Sequence, residues 1–493
     1  MGLSDERKFE ISRATKLHSF KGEELARDMF KRLGNRIVVY FDPDFDGMIS
    51  GYFACKMLSL MGKDFSWYVN SNRRHDWTIP YKKLKDIDVV AVDFLITPEE
   101  VKEIVDSGCN LLSIDHHVNS EKFIEYESKN GKKGVVINNQ YPFEEPDGEY
   151  LSGAGVVFEL FCAIDERFNT VENRALVGIT LLSDVRDLEN NYARGYLYDL
   201  YNHKYKGYIK YLIDATIGKV DYGFGVPRMD RNYVDFKASP AVNASLRFNQ
   251  QDDVVRFFLG VGELDLEYHK MQKELVEEIL KVTKMLELVN LRVCYFLESS
   301  IEKNQEVLSS FVGLAASRYL DGVHSVILYM TALNDEGKPY VKRASFRGNI
   351  NGNDYRKALE GIIEGVGHPS AFGIKNLIPS NPLFERINNI CQDLDNGKSA
   401  RGAVIDVSNL SFFSSRDAKR VGTENAYCLA QNRTYVRYTG NGIQKKRSGA
   451  NYQEYSIDGI AVMCFDKTVD FNNGLILPIL ERKLVAFYLE KMD

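Results

Sequence analysis

The sequence predicts an α/β protein whose first domain is built on a parallel sheet. Three short apolar runs in the first 120 residues predict it, because each is strand-like and each ends in aspartate. Ile37-Val38-Val39-Tyr40-Phe41 runs into Asp42-Pro43-Asp44-Phe45-Asp46-Gly47; Val89-Val90-Ala91-Val92 meets Asp93; Leu111-Leu112-Ser113-Ile114 meets Asp115-His116-His117. Parallel strands joined by helical crossovers bring such ends to one edge of a sheet, where open α/β sheets place their ligands.

Taken in order, the strand ends carry more acid than helix capping needs. One aspartate among Asp42, Asp44 and Asp46 could cap a helix beginning near Gly47, but three at alternate positions exceed a cap. After Asp93 the chain supplies its own start signal: Thr97 at N-cap, Pro98 at the first helical position, Glu99 and Glu100 in the first turn. Asp93 is therefore surplus to capping. Adjacent histidines after Asp115 are unusual in a chain with eight histidines. Clustered carboxylates repel one another unless cations sit between them. Oxygen ligands joined by an imidazole suit Mg²⁺ or Mn²⁺, and a paired site of that kind is the apparatus of phosphodiester hydrolysis.

On these residues the chain resembles the DHH phosphoesterases, named for the tripeptide seen here as Asp115-His116-His117. The family's D-x-D-x-D-G motif matches Asp42, Asp44, Asp46 and Gly47, and its second motif matches Asp93. An apolar helix ending in aspartate matches Gly178-Ile179-Thr180-Leu181-Leu182-Ser183-Asp184, and the small-residue start Leu151-Ser152-Gly153-Ala154-Gly155 precedes it. Pro240-Ala241-Val242-Asn243-Ala244-Ser245-Leu246-Arg247 is similar to a segment of RecJ nucleases. Residues 264–286 read as a long charged helix. Beyond it, strands at 291–297, 324–329 and 340–346 and a helix at 311–320 outline a second domain. Gly365-Val366-Gly367-His368-Pro369-Ser370-Ala371-Phe372-Gly373 resembles the family's Gly-Gly-His substrate loop, and Ser345-Phe346-Arg347 its Ser-x-Arg strand. Two departures stand out: Val366 replaces a loop glycine, and Asp187, beside Arg186, stands where RecJ proteins usually carry proline.

The resemblance implies a parallel-sheet DHH domain, a long connecting helix, a second smaller α/β domain and a C-terminal β-rich region. Expected boundaries are an N-terminal helical extension over 1–35, the DHH catalytic domain over 36–258, the connecting helix over 259–287, a DHH-associated substrate-binding domain over 288–395, and a β-rich accessory domain over 396–493, OB-like by analogy alone. β-like runs at 403–407, 434–438 and 455–464 support the last, with a basic patch at Gln444-Lys445-Lys446-Arg447-Ser448. The resemblance also implies that Asp42, Asp44, Asp46, Asp93, His116 and Asp184 bind two Mn²⁺ or Mg²⁺ ions, with Asp115 and His117 orienting the histidine and contacting phosphate. Arg73, Asn243, Arg247, Ser345, Arg347, Gly367 and His368 would hold a single strand of DNA, cleaved from its 5′ end to 5′-mononucleotides.

Composition is that of a soluble globular protein: 493 residues, 44% hydrophobic and 27% charged. The absence of a long apolar run or apolar leader, and seven scattered cysteines without a C-x-x-C pair, lead to the expectation of a cytoplasmic, membrane-free setting. The net charge of −6 runs against the basic footprint of most nucleic-acid binders. Bound divalent ions would invert the field of a crevice holding so many of the acids. Basic residues do cluster, at Arg73-Arg74-His75, at Lys342-Arg343 with Arg347, and in the Lys-Tyr stretch 204–211, which reads more readily as an amphipathic helix than as a stacking track. His18, His203, His269 and His324 are expected to be structural, and Gly51 and Gly178 to permit close helix packing. Related enzymes act on short RNA, 3′-phosphoadenosine phosphate, cyclic dinucleotides or pyrophosphate, and some relatives are non-catalytic replication or repair scaffolds. Intact acidic motifs argue against a scaffold, and residues 243–247 with the region after 396 argue for the strand-degrading branch. That branch implies single-stranded DNA as the partner, with short RNA or a cyclic dinucleotide as the alternative, and a single-stranded-DNA-binding protein or a replication or repair protein beside it.

Overall fold

A computed structural model describes residues 23–70, 77–117, 123–138, 151–184, 195–197, 199–200, 212, 234–286, 294–300, 305–320, 324–334, 336–348, 354–368, 370–397, 404–407, 435–448, 452–458, 460–464, 474–481 and 484–491. The chain divides into two units, Ile11–His269 and a second made of Lys270–Asp493 with Met1–Glu10.

The first unit is a six-stranded sheet built from β1 (Ile37–Phe41), β2 (Phe65–Val69), β3 (Asp88–Val92), β4 (Leu111–Asp115), β5 (Phe123–Glu127) and β6 (Lys133–Asn138), in the order β2-β1-β3-β4-β6-β5. All neighbours are parallel except the edge pair β5–β6. β1, β3 and β4 are buried along their whole length, which explains why they read as continuous apolar runs rather than alternating ones. One face carries α3 (Pro98–Asp106), whose Val101, Ile104 and Val105 join Val38, Tyr40, Val89, Ala91, Leu111 and Val136 in a single core. The other face receives α2 (Phe45–Leu60), where Gly51 lies on the ring of Phe41; a Cβ there would come within about 2.6 Å of that ring. Nearly every residue of α2 is buried, because α4 (Gly153–Ile164) and α5 (Val171–Ser183) cover its outer side. Gly178 permits a similar approach, with Tyr196 O where its Cβ would be. Among the described residues no helix is long and apolar enough to cross a membrane.

The helix read over 264–286 runs from Glu267 to Val282 and then gives way to a strand, β7 (Thr283–Met285). Thr283 ends it: its hydroxyl donates to Ile279 O at 2.7 Å, and β7 pairs antiparallel with β8 (Cys294–Ser300). Sheet pairing here overrides a helical periodicity that continues in the sequence. Four more strands complete the second sheet: β9 (Ser325–Leu333), β10 (Pro339–Arg347), β11 (Glu364–His368) and β12 (Ala371–Lys375), in the order β11-β12-β10-β9-β8-β7. The Gly-His segment thus ends a hairpin strand rather than forming an irregular loop, Gly367 pairing with Phe372 and His368 with Ala371, and Gly367 sits at φ +131, outside the range comfortable for a side chain.

A third sheet contains seven strands: β13 (Val404–Val407), β14 (Tyr435–Tyr438), β15 (Ile443–Ser448), β16 (Gln453–Ile457), β17 (Ile460–Cys464), β18 (Gly474–Glu481) and β19 (Leu484–Lys491). Their order is β13-β14-β18-β19-β17-β16-β15, whereas an OB barrel has five strands. The run read at 455–464 is two strands, reversed at Asp458, whose φ is +50.

Candidate metal centre

Strand register sets the site. Phe41 pairs with Val92, Val92 with Ile114, and Asp115 with Asn138, so the residues that follow or end these strands lie level along the carboxyl edge. Each acid is then fixed by a different local device. Asp44 is the N-cap of α2 and accepts from Gly47 N at 2.8 Å. Asp46, in the first turn of α2, receives two N–H donors from the start of α4: Gly153 N at 2.7 Å and Ala154 N at 3.1 Å. A helix N-terminus favours negative charge, so this contact holds the carboxylate in place. Asp93 stands at φ +51, a left-handed conformation that aspartate tolerates better than most side chains, and its N–H donates to Ile114 O at 2.9 Å. It caps nothing: Thr97 accepts from Glu100 N at 3.3 Å while Glu100 accepts from Thr97 N at 2.9 Å, a closed capping box. Asp184 is the C-cap of α5.

The side chains converge on His116. Its Nε2 lies 3.1 Å from Asp93 Oδ1 and 3.8 Å from Asp46 Oδ2, and its Nδ1 lies 3.8 Å from Asp184 Oδ2. Two groups of ligand atoms, Asp46–His116–Asp184 and Asp93–His116–His117, each fall within 4.8 Å of one another. His117 is tied by its Nδ1 to Asp115 Oδ1 at 2.8 Å. Asn138, at the end of β6, donates to His117 O at 2.8 Å and approaches Asp115 Oδ2 at 3.5 Å.

The crevice is desolvated and overloaded with negative charge. Burial, then Asp184 and Asp44, push Asp46 up to about 8; burial, then Asp46 and Asp44, hold Asp93 well above the usual carboxylate range. Asp44 is raised by burial and by Asp42. Burial pulls His117 down, but Asp115 beside it wins and its imidazolium persists to about 9. Burial raises Asp115, yet His117 outweighs it and the carboxyl lies below its ordinary range. Asp93 Oδ1 is buried and accepts no hydrogen bond among the described residues. Such a set of carboxylate oxygens and imidazole nitrogen suits a divalent ion of the Mg²⁺ or Mn²⁺ kind, which would supply the missing positive charge.

The expected residues fall in three places. Asp42, Asp44, Asp46, Asp93, Asp115, His116, His117 and Asp184 gather at the carboxyl edge of the first sheet. Asn243 and Arg247 belong to the helix Ser239–Arg247 of the same unit, where Asn243 Nδ2 donates to Ser239 Oγ at 3.1 Å. In the second unit Ser345 and Arg347 lie on β10 and Gly367 and His368 on β11, with β12 between them; Arg347 stands opposite Ala371 and Ser345 opposite Gly373 of β12. Arg73, Arg186, Asp187, the stretch 204–211 and the side chain of His368 lie outside the described residues.

Sequence reasoning missed two participants. Asn138 closes a fourth apolar run, Val135-Val136-Ile137, that ends at the same edge; its strand had the signal, but its polar end is an amide rather than an acid. Gly153 has the carboxylate of Asp93 where a Cβ would stand, so the small-residue helix start is a packing requirement of the site.

Comparison with known proteins agrees with this geometry. Residues 36–182 match the family model of the DHH family, N-terminal domain. A protein of Bacillus subtilis strain 168 named as an SPbeta prophage-derived single-strand DNA-specific exonuclease, YorK, is 25% identical over 411 residues, covering 73% of this chain and 68% of its own. Its counterpart in Bacillus phage SPbeta matches to the same extent. RecJ from Thermus thermophilus, in complex with Mn²⁺, superposes with a TM-score of 0.57 at 18% identity, covering 97% of this chain and 72% of that one. An exonuclease RecJ bound to manganese gives 0.51 at 19% identity, covering 77% and 95%. Residues 36–182 thus carry the signature of the DHH family's N-terminal domain, and the chain shares its fold with RecJ.

Proposed function

We propose that this chain is a metal-dependent exonuclease that degrades single-stranded DNA from the 5′ end to 5′-mononucleotides. The observation that carries the reading is the crevice in which Asp46, Asp93, His116 and Asp184 meet, buried and short of positive charge. Likeness to proteins named as single-strand DNA-specific exonucleases supports the substrate class.

In this reading Asp44, Asp46, Asp93, His116 and Asp184 hold two Mn²⁺ or Mg²⁺ ions, with Asp42 as a sixth ligand. When bound, such a pair supplies Lewis-acid stabilisation of phosphate charge and a water acidic enough to act as nucleophile at neutral pH. The chain's own residues do the rest. α4 aims Asp46 and favours its charged form through Gly153 N and Ala154 N, against the burial and neighbouring carboxylates that raise it. Asp115 holds His117 protonated, so that an N–H donor faces a phosphate oxygen while its charge offsets the incoming anion. Asn138 fixes the backbone of His117. Asn243, Arg247, Ser345, Arg347, Gly367 and His368 contact the strand. A replication or repair role with a single-stranded-DNA-binding partner fits such an activity.

The test is incubation with Mn²⁺ of single-stranded DNA labelled at either end, alongside short RNA and cyclic dinucleotides. Labelled mononucleotide should appear first from the 5′-labelled strand. Turnover of RNA or cyclic dinucleotide with the DNA left intact would replace this reading with a small-nucleotide phosphodiesterase.

A further inference from the structure

Arg347 ends β10 with Nε and Nη1, three of its five N–H donors, committed to neutral groups. Its Nε donates to Ser317 Oγ at 3.2 Å, and its Nη1 donates both to Ser345 Oγ at 2.7 Å and to Phe346 O at 2.7 Å. Both serine hydroxyls are themselves pinned. Ser317 Oγ donates to Gly313 O at 3.0 Å within the helix Val312–Ser317, and Ser345 Oγ donates to Phe372 O at 3.3 Å. A hydroxyl has one hydrogen, so committing it to a carbonyl leaves only lone pairs facing the guanidinium. The two serines therefore act as oriented acceptors from opposite elements of the sheet unit.

The remaining nitrogen, Nη2, has no hydrogen-bond partner among the described residues. It lies against Gly313, in the space that a Cβ at that position would fill. Among the described residues no carboxylate offsets the charge: burial first, and the like charge of Arg343 second, pull the guanidinium down to about 10. A half-buried cation held by neutral acceptors, with Nη2 uncommitted among the described residues, is costly unless an anion completes it. Phosphate oxygens match that fork in charge and geometry.

We propose that Ser317 and Gly313 are positioning residues that aim Arg347 Nη2 at a phosphate oxygen of the substrate. Ser317 fixes the rotation of the guanidinium through Nε, and Gly313 leaves the volume that Nη2 occupies. The inference rests on the reading that the chain binds a phosphodiester strand, and adds to it residues from a helix the strand-binding set did not include.

The full-length protein with Mn²⁺ and end-labelled single-stranded DNA tests it, with Ser317→Ala, Ser317→Thr, Gly313→Ala and Arg347→Ala measured side by side. Ser317→Ala should raise KM about tenfold, the worth of one hydrogen bond to a charged group, while kcat falls far less. Ser317→Thr keeps the hydroxyl and should restore KM. Gly313→Ala should approach Arg347→Ala, and inhibition by inorganic phosphate should weaken in parallel with KM. If Arg347→Ala raises KM but Ser317→Ala does not, the seat is wrong although the phosphate reading stands. If Arg347→Ala changes neither KM nor phosphate inhibition, the reading beneath fails and the seat with it. A KM rise in Ser317→Ala that Ser317→Thr leaves uncorrected, and that tracks a fall in melting temperature, assigns Ser317 to fold stability instead and overturns the proposal.

Discussion

At the residue scale, the acids of the crevice differ in what else they do, and that decides which substitutions are informative. Asp44 is both a proposed ligand and the N-cap of α2, so alanine would remove charge and cap together. Asparagine caps as well as aspartate. Asp44→Asn should therefore abolish hydrolysis at saturating Mn²⁺ while the melting temperature in chelator stays level or rises, because one charge leaves a repelling cluster. Near-normal turnover would remove Asp44 from the ligand set. Asn138→Ala should leave every proposed ligand in place but free the backbone of His117. A loss of about 10- to 100-fold in Mn²⁺ affinity or turnover is expected, as for other residues that orient a ligand from behind. Isothermal titration with Mn²⁺ reads it directly. The acids and histidines were legible in the sequence because charge at a strand end is costly and conspicuous. Asn138 was not, since an uncharged amide at a strand end is ordinary.

At the scale of elements, α4 is the part whose start matters more than its length. Its first two N–H groups hold Asp46, and its first residue has to be glycine for Asp93 to fit. Gly153→Ala puts a methyl where the Asp93 carboxylate stands, so either the helix start or the carboxylate moves. Mn²⁺ affinity should fall by about tenfold or more, equivalent to losing at least one charge-assisted contact. Titration of the purified variant, checked for a preserved far-ultraviolet spectrum, gives the answer; wild-type affinity would show that the edge can relax around a methyl. Local signals predicted these elements well where chemistry is local: Thr97 at the N-cap of α3, Pro98 after it and the aspartate at the end of α5 stand as read. They failed where a distant strand decides. Residues 283–285 keep helical spacing but pair with β8, and 364–375 form a hairpin because β12 pairs with β10. Nothing within either segment specifies that partner.

For the whole molecule, the raised carboxyls couple folding to pH and to metal. Asp46 and Asp93 bind protons more tightly folded than unfolded, so the metal-free fold is most stable below about 4 with respect to them. That contribution is lost as pH rises towards the value of about 8 for Asp46. His117 runs the same way: its contribution is complete below 6.5 and disappears as pH passes about 9. Asp115, lowered by His117, contributes in the opposite sense, and its part is lost only as pH falls below the ordinary carboxylate range. Between pH 6 and 9 the melting temperature in chelator should therefore decline. Mn²⁺ should restore it, more strongly at the alkaline end, because ligands must lose their protons to bind. At a hundred times its dissociation constant the ion would add about 2.7 kcal/mol. Differential scanning calorimetry across that range checks the sign, and a melting temperature that rises with pH in chelator would contradict the assignment of these groups. Composition gave little warning of this, since a net charge of −6 averages over a crevice that is locally far more acidic.

Asp93 bears on how loss-of-function alleles of such a protein are interpreted. Its backbone is left-handed, and asparagine shares with aspartate an unusual tolerance of that conformation that alanine lacks. An alanine allele therefore combines two lesions, a missing carboxylate and a turn that no longer wants to form, and a null phenotype from it does not distinguish an inactive enzyme from a depleted one. An asparagine allele keeps the turn. Comparing steady-state abundance of the two in cells would separate the chemistry of this position from its contribution to protein supply, and makes asparagine the sounder catalytic-dead control.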